Sequence, residues 1–144
     1  MSRTAVIAGV GPGLGASLAH RFADEGCGVG LLARSTEYVD DLAADLRDST
    51  PGDAVAVQAD ITDRQQVDAA FESVRESLNP VDVLVNNASG AAWSGIDVDP
   101  DDFEQSLRVG PLGSLHCTQE AVADMRDGDG GTVIFTGATS AVRG

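Results

Sequence analysis

Residues 4–22 concentrate the features that could bind an anion. An apolar run at 5–8 leads directly into a turn with glycine at alternate positions, namely Gly9, Gly11, Gly13 and Gly15. Helix-forming residues follow at once, with Leu14, Leu18 and Phe22 spaced for one apolar face. Because the first turn of a helix offers unpaired N–H groups and partial positive charge, the ligand expected at this turn is a phosphate.

The glycines fit two nucleotide-binding registers. The pattern G-x-G-x-x-G fails from Gly9, since Leu14 stands at its last position, but it survives from Gly11 in the variant that ends in alanine. The pattern G-x-x-x-G-x-G fits outright as Gly9, Gly13 and Gly15. Strand-to-helix packing alone also selects glycine. The flanking strand and helix favour a dinucleotide whose pyrophosphate meets the turn and the first helical residue, Leu14.

The length of 144 residues suits a single domain, 1–144, with a sizeable core. No apolar run approaches the roughly 20 residues of a membrane span. The first residues carry one arginine and a short strand-like run, so no signal peptide is expected. Cys27 and Cys117 make no disulfide framework, which favours a reducing cytoplasm.

The charge balance is strongly acidic. Formal net charge is −14, all nine cations are arginine, and 17 aspartates outnumber 6 glutamates. Such a surface repels nucleic acid and anionic membranes, so neither is expected as a partner. The acidic residues are scattered over helix faces, and we interpret them as a hypothesis of salt adaptation, as in a halophile.

The apolar pattern alternates between strand and helix along the whole chain. Strands are predicted at 3–8, 28–33, 54–58, 81–85 and 132–136. Helices are predicted at 14–25, after a cap at Ser35 or Thr36, after a capping box at 62–65, and from a cap at Asp99 to about Met125. Strands separated by helices imply right-handed crossovers and a parallel sheet in an α/β fold.

On these elements the chain resembles the N-terminal part of a short-chain dehydrogenase/reductase. The resemblance covers essentially all residues and rests on the glycine turn, Asp60-Ile61, Asn86-Asn87-Ala88 and Val109…Gly113. It implies a Rossmann-like doubly wound sheet of five strands in the order 3-2-1-4-5. It also implies an oxidoreductase that uses NAD(P) to interconvert an unknown small carbonyl or alcohol.

The family motifs suggest roles for four residues. Asp60 would accept a hydrogen bond from the adenine amino group, and Ile61 would cover the ring; alternatively, Asp60 merely starts the next turn. Asn87 and Ala88 belong to a motif whose polar side chains tie strand ends together beneath the cofactor. Here Ser89 replaces the glycine that relatives carry after the alanine.

Cofactor choice is predicted at the end of the second strand. An acidic residue there would bind both ribose hydroxyls and favour NAD. This chain has Ala33 followed by Arg34 and Ser35, which can pair with a 2′-phosphate. The residues therefore favour NADP over NAD, with a solvated Arg34 as the alternative.

The catalytic residues of the family are missing from the sequence. Its helix asparagine corresponds to Gly110, followed by Pro111, which we expect to break the helix. Its serine corresponds to Ala138, and the nearest hydroxyls are those of Thr136, Thr139 and Ser140. The only tyrosine is Tyr38, and there is no lysine to complete Tyr-x-x-x-Lys. No catalytic residue is assigned, and this chain alone is expected to bind cofactor without turnover.

Two other interpretations stay open. The chain is a fragment of a longer active reductase if Tyr-x-x-x-Lys follows about a dozen residues beyond Gly144. Otherwise it is a non-catalytic protein that binds a nucleotide or a partner through the same surface. Either way, an uncovered last strand with Val133, Ile134 and Phe135 predicts a homo-oligomer.

The remaining chemistry-bearing residues favour ordinary structural roles. His20 and His116 fall on predicted helices, where packed or solvated side chains are expected, and no metal site is predicted. Asp97, Asp99 and Asp101 mimic a calcium loop but lack its glycine and final glutamate, so a helix cap is expected. Trp93 would either line a substrate pocket or anchor its loop.

Overall fold

A computed structural model of the chain describes residues 2–90 and 95–143. Its strands are β1 (Thr4–Ala8), β2 (Gly28–Ala33), β3 (Ala54–Gln58), β4 (Val83–Asn86) and β5 (Thr132–Phe135). Its α-helices are α1 (Leu14–Asp24), α2 (Glu37–Ser49), α3 (Arg64–Ser77), α4 (Pro100–Leu107) and α5 (Gly113–Asp127). The five strands are parallel in the order β3-β2-β1-β4-β5, so the predicted doubly wound α/β fold is confirmed.

The register aligns the carboxyl ends of the central strands. Ala8 of β1 stands beside Leu32 of β2 and beside Asn86 of β4, which in turn pairs with Phe135 of β5. The loops that leave these strands therefore begin at one edge of the sheet. The strand order reverses at β1, which is where ligands bind in open parallel sheets.

Helices cover both faces of the sheet. Side chains of α1 and α2 pack on one face, where they meet Ile7 of β1. Side chains of α3 and α5 pack on the other face, where they meet Val6. Adjacent residues of one strand thus point into different cores, which explains why β1 is buried at every position and apolar from Ala5 to Ala8.

The buried face of α1 differs from the expected one. Leu14 is 53% exposed, and Leu18 is only partly buried, whereas Gly15, Ala16 and Ala19 are buried. The side chains that contact the sheet are therefore small. A helix with small residues on its inner face can approach the strands and the turn before it closely, and this proximity outweighs the burial of larger side chains.

The cap of α3 lies one residue later than predicted. Asp63, rather than Thr62, accepts hydrogen bonds from the amides of Gln65 and Gln66. The side chain of Gln66 returns to the Asp63 carboxylate and also accepts from the amide of Asp60. The hydroxyl of Thr62 instead donates to the carboxylate of Asp60.

Pro111 does not break the long helix, contrary to expectation. A π-helical segment at Arg108–Leu112 joins α4 to α5, and the amide of Gly113 bonds to the carbonyl of Arg108, five residues back. The wider turn makes room for the proline ring and for its missing N–H. The predicted cap of Asp99 is confirmed, since its carboxylate accepts from the amide of Asp101 at 2.9 Å.

Candidate functional site

Gly9 brings the turn after β1 into close contact with the segment that follows β4. Its φ is +99°, and a Cβ there would lie 2.4 Å from the backbone nitrogen of Ala88. Its own amide donates to the carbonyl of Leu32 in β2. Only glycine tolerates both this conformation and this contact, so the turn after β1 is held between the two neighbouring strands.

The other glycines of the turn divide into two kinds. A Cβ on Gly15 would lie 2.7 Å from the carbonyl oxygen of Gly9, so this glycine lets α1 start directly beneath the turn. A Cβ on Gly11 or Gly13 would meet nothing within 4 Å. The sides of these two residues are open, which leaves space for an external group.

The N-terminus of α1 is open as well. Gly13 precedes the helix and supplies no side-chain cap, and the first turn contains no acidic residue. The side chain of Leu14 is half exposed. Unpaired amides with a partial positive charge therefore face the open side of the glycine turn, which is the arrangement that binds phosphate groups.

Arg34 and Ser35 lie exposed at the end of β2. The side-chain amide of Gln58 in β3 donates to the carbonyl of Arg34 at 3.0 Å, which fixes the backbone of Arg34. Within residues 2–90 and 95–143, the guanidinium of Arg34 enters no ion pair. It is available for an anionic ligand.

Asp60 begins a local turn, as its alternative interpretation held. Its Oδ1 accepts from the hydroxyl of Thr62 at 2.7 Å and from the amide of Thr62 at 3.0 Å. These two bonds, with a contribution from nearby Arg34, lower the pKa of the Asp60 carboxyl below its ordinary value. The Oδ2 oxygen forms no hydrogen bond among the described residues, so the turn leaves one acceptor for a ligand.

Asn87 links the ends of three strands. Its Nδ2 donates to the carbonyl of Gly9 at 2.9 Å, and its Oδ1 accepts from the hydroxyl of Thr136 at 2.9 Å. The preceding Asn86 donates to the hydroxyl of Thr118 on α5. The asparagine pair thus ties β1, β4, β5 and α5 together, as expected from the motif.

These residues line one groove of about 590 Å³, here called the main groove. Eight of the eleven predicted binding residues line it: Gly9, Gly11, Arg34, Ser35, Asp60, Ile61, Asn87 and Ala88. The remaining three, Gly13, Leu14 and Gly15, do not line it. They belong to the helix start beside it, where backbone amides rather than side chains face the turn.

Sequence reasoning missed several residues of the main groove. Tyr38, in the first turn of α2, was weighed only as a catalytic tyrosine, although its position three residues after Ser35 could have placed it here. Gln105 and Val109 reach the groove from α4 and the π-helical segment. No local signal identifies such contacts, because they depend on how the long helix crosses the sheet edge.

A second cavity of about 480 Å³, the side cavity, adjoins the main groove at Ala88 and Ser89. Its other lining residues include Asn86, Gly110, Pro111, Ser114, Leu115, Thr118, Phe135 and Thr136. A Cβ on Gly110 would meet nothing within 4 Å, so the position of the family's helix asparagine is open space. Among residues 2–90 and 95–143, the lining of the side cavity therefore offers hydroxyl groups but no strong acid or base.

The other candidates lie elsewhere. Ala138, Thr139 and Ser140 are exposed and do not line the side cavity, and Trp93 lies outside the described residues. His20 Nε2 lies 3.8 Å from a carboxylate oxygen of Asp45 on the surface. Across 2–90 and 95–143, no three potential metal ligands gather at one place.

The helices in the described part of the chain do not combine the length and the apolar character of a membrane span. Both cysteines are free thiols. Burial raises the pKa of the Cys117 thiol to about 12, so this residue is an inert core side chain rather than a nucleophile.

Comparison with known proteins points in one direction. The family model described as short chain dehydrogenase matches residues 3–144. The meso-2,3-butanediol dehydrogenase of Serratia marcescens is 33% identical over 144 residues, which are 99% of this chain and 56% of that protein. Versicolorin reductase of Emericella nidulans is 29% identical over 99% of this chain and 54% of its own length. The chain spans about half the length of the curated relatives it matches.

Solved structures agree with these sequence matches. The L-sorbose reductase of Gluconobacter frateurii, in complex with NADPH and L-sorbose, is 29% identical with a TM-score of 0.90 and matches 99% of this chain and 54% of its own. An NAD⁺-bound xylitol dehydrogenase is 26% identical with a TM-score of 0.91 over 99% of this chain and 55% of its own. By the family model and by its NAD(P)-binding fold, the chain belongs to the short-chain dehydrogenase/reductase family.

Proposed function

We propose that this chain binds NADP(H) in the main groove, as the cofactor-binding part of an oxidoreductase that interconverts a carbonyl and an alcohol. The observation that carries the proposal is the glycine turn after β1. Gly9 and Gly15 bring backbone segments into contact that a Cβ would prevent, while Gly11 and Gly13 keep open sides beside the uncapped N-terminus of α1. This combination suits a pyrophosphate.

The remaining groove residues would hold the two ends of the dinucleotide. Asp60, through its unused Oδ2, would accept from the adenine amino group, and Ile61 would pack against the ring. Asn87 and Ala88 would support the nicotinamide end, since they lie where the main groove meets the side cavity. When bound, the cofactor supplies hydride chemistry; the chain's own residues bind and orient it.

The preference for NADP over NAD rests on Arg34 and Ser35. A guanidinium without an ion pair beside a hydroxyl is suited to a ribose 2′-phosphate. Gln58 supports this role because it fixes the backbone from which the Arg34 side chain extends. Similar proteins bind NAD⁺ in one solved structure and NADPH in another, so the fold itself does not decide between the two cofactors.

The 144 residues would form one dinucleotide-binding unit without turnover of its own. The side cavity beside the nicotinamide end contains Gly110 and serine and threonine hydroxyls, whose pKa lies far above neutral. Proton transfer to a carbonyl oxygen needs a better acid. A non-catalytic nucleotide-binding protein is the second candidate, because the same lack of an acid favours it.

Two measurements test these proposals. Isothermal titration of the purified chain with NADPH and NADH should give binding, tighter for NADPH. Assays with NADPH and a panel of ketones, aldehydes and quinones should give no turnover. A failure to bind either dinucleotide would contradict the proposal, whereas Tyr-x-x-x-Lys encoded shortly after codon 144 would identify a fragment of an active reductase.

The charge balance and the cysteines support two further proposals. A net charge of −14 with no lysine favours a protein adapted to high salt, where screening weakens the repulsion among carboxylates. The two free cysteines favour a reducing cytoplasm. If the midpoint of urea unfolding does not rise between low and molar KCl, the salt hypothesis is wrong.

A further inference from the structure

His116 of α5 makes a direct contact with the segment between β3 and α3. Its Nδ1 lies 2.8 Å from the carbonyl oxygen of Ile61. A carbonyl can only accept, so Nδ1 must carry the hydrogen, either in the Nδ1–H tautomer or in the imidazolium form. The bond connects residues 55 positions apart in the chain.

Gly113, one turn earlier on the same face of α5, contacts Ile61 from another side. A Cβ on Gly113 would lie 2.6 Å from Cδ1 and from Cγ1 of Ile61. Ile61 is only 8% exposed as a result of such close packing. The helix therefore constrains this residue at two points, with Gly113 against the side chain and His116 on the carbonyl.

The residues on either side of Ile61 form hydrogen bonds within their own turn and with α3. The amide of Asp60 donates to the side chain of Gln66, and the amide of Thr62 donates to the carboxylate of Asp60. These bonds shape the turn but do not fix it relative to α5. The bond from His116 joins the carbonyl of Ile61 itself to α5, whereas the ion pair of Arg64 with Glu120 joins α5 to the start of α3; both Asp60 and Ile61 line the main groove.

From this arrangement we propose that His116 is a positioning residue for adenine recognition. It holds the Asp60–Ile61 segment in a position where Asp60 can form a hydrogen bond with the adenine amino group and Ile61 can pack over the ring. The inference rests on the proposed function, because it assigns a determinant of affinity to the same groove. It predicts that the affinity for the adenine end of the cofactor, and not for the nicotinamide end, depends on His116.

The test compares His116→Asn with His116→Leu. The Nδ2 of asparagine occupies nearly the place of the histidine Nδ1, so it can donate to the Ile61 carbonyl, whereas leucine has no donor. Adenosine 2′,5′-bisphosphate serves as probe for the adenine end, and nicotinamide mononucleotide for the other end. The control is His20→Leu, which removes the exposed histidine beside Asp45.

We expect His116→Leu to bind the bisphosphate about fivefold more weakly, the factor carried by one intramolecular hydrogen bond of ordinary strength. Binding of the mononucleotide should not change, and His116→Asn should bind both probes as the wild type does. Equal loss for both probes, or no loss for either, would overturn the inference. A wild-type chain that does not bind the bisphosphate would instead contradict the proposed function.

A second measurement keeps the inference testable if the leucine variant does not fold. In the ¹⁵N spectrum of the unliganded wild type, Nδ1 of His116 should be protonated and protected from exchange. In His116→Asn the amides of residues 60–62 should exchange as slowly as in the wild type. A neutral His116 that carries its hydrogen on Nε2 would overturn the inference whatever the affinities.

Discussion

Asn87 Nδ2 donates to the carbonyl oxygen of Gly9 across 78 positions of sequence, at 2.9 Å. The Oδ1 of the same side chain accepts from the hydroxyl of Thr136, so Asn87 links the ends of β1, β4 and β5. The side-chain amide of Asn87, which lines the main groove, therefore has both of its polar atoms in hydrogen bonds. A substitution must replace a donor and an acceptor at once to preserve them.

Asn87→Asp should destabilise the fold by about 1–3 kcal/mol, the cost of leaving a partly buried polar group without its partner. The carboxylate keeps an acceptor for Thr136 but has no hydrogen for Gly9, and it places negative charge against a carbonyl. Urea unfolding measures the loss. Thr136→Val is the matched control: it removes one exposed bond and should cost less than about 1 kcal/mol. An Asn87→Asp chain as stable as the wild type would mean that the bond to Gly9 contributes nothing.

Gly9→Ala and Gly11→Ala should separate the two kinds of glycine. The first places a Cβ 2.4 Å from a backbone nitrogen at a φ of +99°, so we expect a loss of at least about 2 kcal/mol in unfolding free energy. The second adds a methyl in open space, so stability should stay within about 0.5 kcal/mol of the wild type. Its methyl, however, occupies space proposed for the pyrophosphate.

NADPH titration measures the second part of this prediction. Gly11→Ala should weaken binding at least about tenfold, equivalent to about 1.4 kcal/mol. Wild-type affinity in a folded Gly11→Ala chain would show that the phosphate does not lie beside this glycine.

Arg34→Ala should lose NADPH affinity by about 10- to 100-fold, the range expected for a hydrogen bond to a charged group. NADH lacks the 2′-phosphate, so its affinity should change little, and the ratio of the two constants is the measurement. Arg21→Ala is the control, since that arginine pairs with Glu25 on the exposed face of α1. Equal losses for both cofactors would mean that Arg34 does not read the 2′-phosphate.

Asp60 should contribute to the loss of folding stability at acidic pH. Its pKa is lowered first by the side-chain bond from Thr62, then by the backbone bond, with Arg34 contributing. A carboxyl whose folded pKa is depressed stabilises the fold above its unfolded pKa, and the contribution is lost as pH falls through the folded value. The window therefore lies below the ordinary value of 3.8.

Thr62→Val removes the hydroxyl bond while leaving the carboxylate in place. We expect the Asp60 pKa to rise toward 3.8 in this variant, as followed by carboxyl ¹³C shifts during an NMR titration. An unchanged titration would mean that the hydroxyl of Thr62 does not set the acidity of Asp60.

The fold was predictable because its signals are local. Strand β3 was predicted with the correct bounds, and the glycine turn identified the end of β1. The positions of Arg34 and Asp60 along the main groove were predictable, because each residue closely follows the end of a strand. It was not predictable where Gln105 meets the groove, since this contact depends on the crossing of a helix over the sheet.

Errors arose where packing overrides a local preference. Pro111 predicted a break, yet a π-helical turn accommodates the proline, and α5 continues beyond it against β4. The spacing of Leu14, Leu18 and Phe22 predicted the inner face of α1, and Leu18 and Phe22 do pack against the core, but Leu14 is exposed. The most deeply buried positions are instead small residues, among them Gly15, Ala16 and Ala19. Because α1 approaches the Gly9 carbonyl closely, its side chains at this point must be small. The spacing of apolar residues along the sequence does not reveal this requirement.

The last strand and the long helix predict self-association through apolar surface. Ile134 and Phe135 of β5 are 41% and 62% exposed, and β5 pairs only with β4 within the described residues. Phe103 and Leu107 of α4 form a second exposed apolar surface. Exposed strand edges and apolar patches of this kind can pair with another copy, so we propose that the 144 residues, expressed alone, form a dimer or larger assembly.

Sedimentation velocity over a hundredfold range of concentration tests this expectation. Phe135→Glu and Leu107→Glu each place a charge in one of the two surfaces. At least one of these variants should raise the dissociation constant of the assembly by about tenfold or more, because burying an unpaired charge costs several kcal/mol. Ile96→Glu is the matched control, since it adds the same charge at an apolar residue that is 97% exposed. A wild-type chain that remains monomeric at every concentration would contradict the prediction, and dissociation by Ile96→Glu alone would place the interface elsewhere.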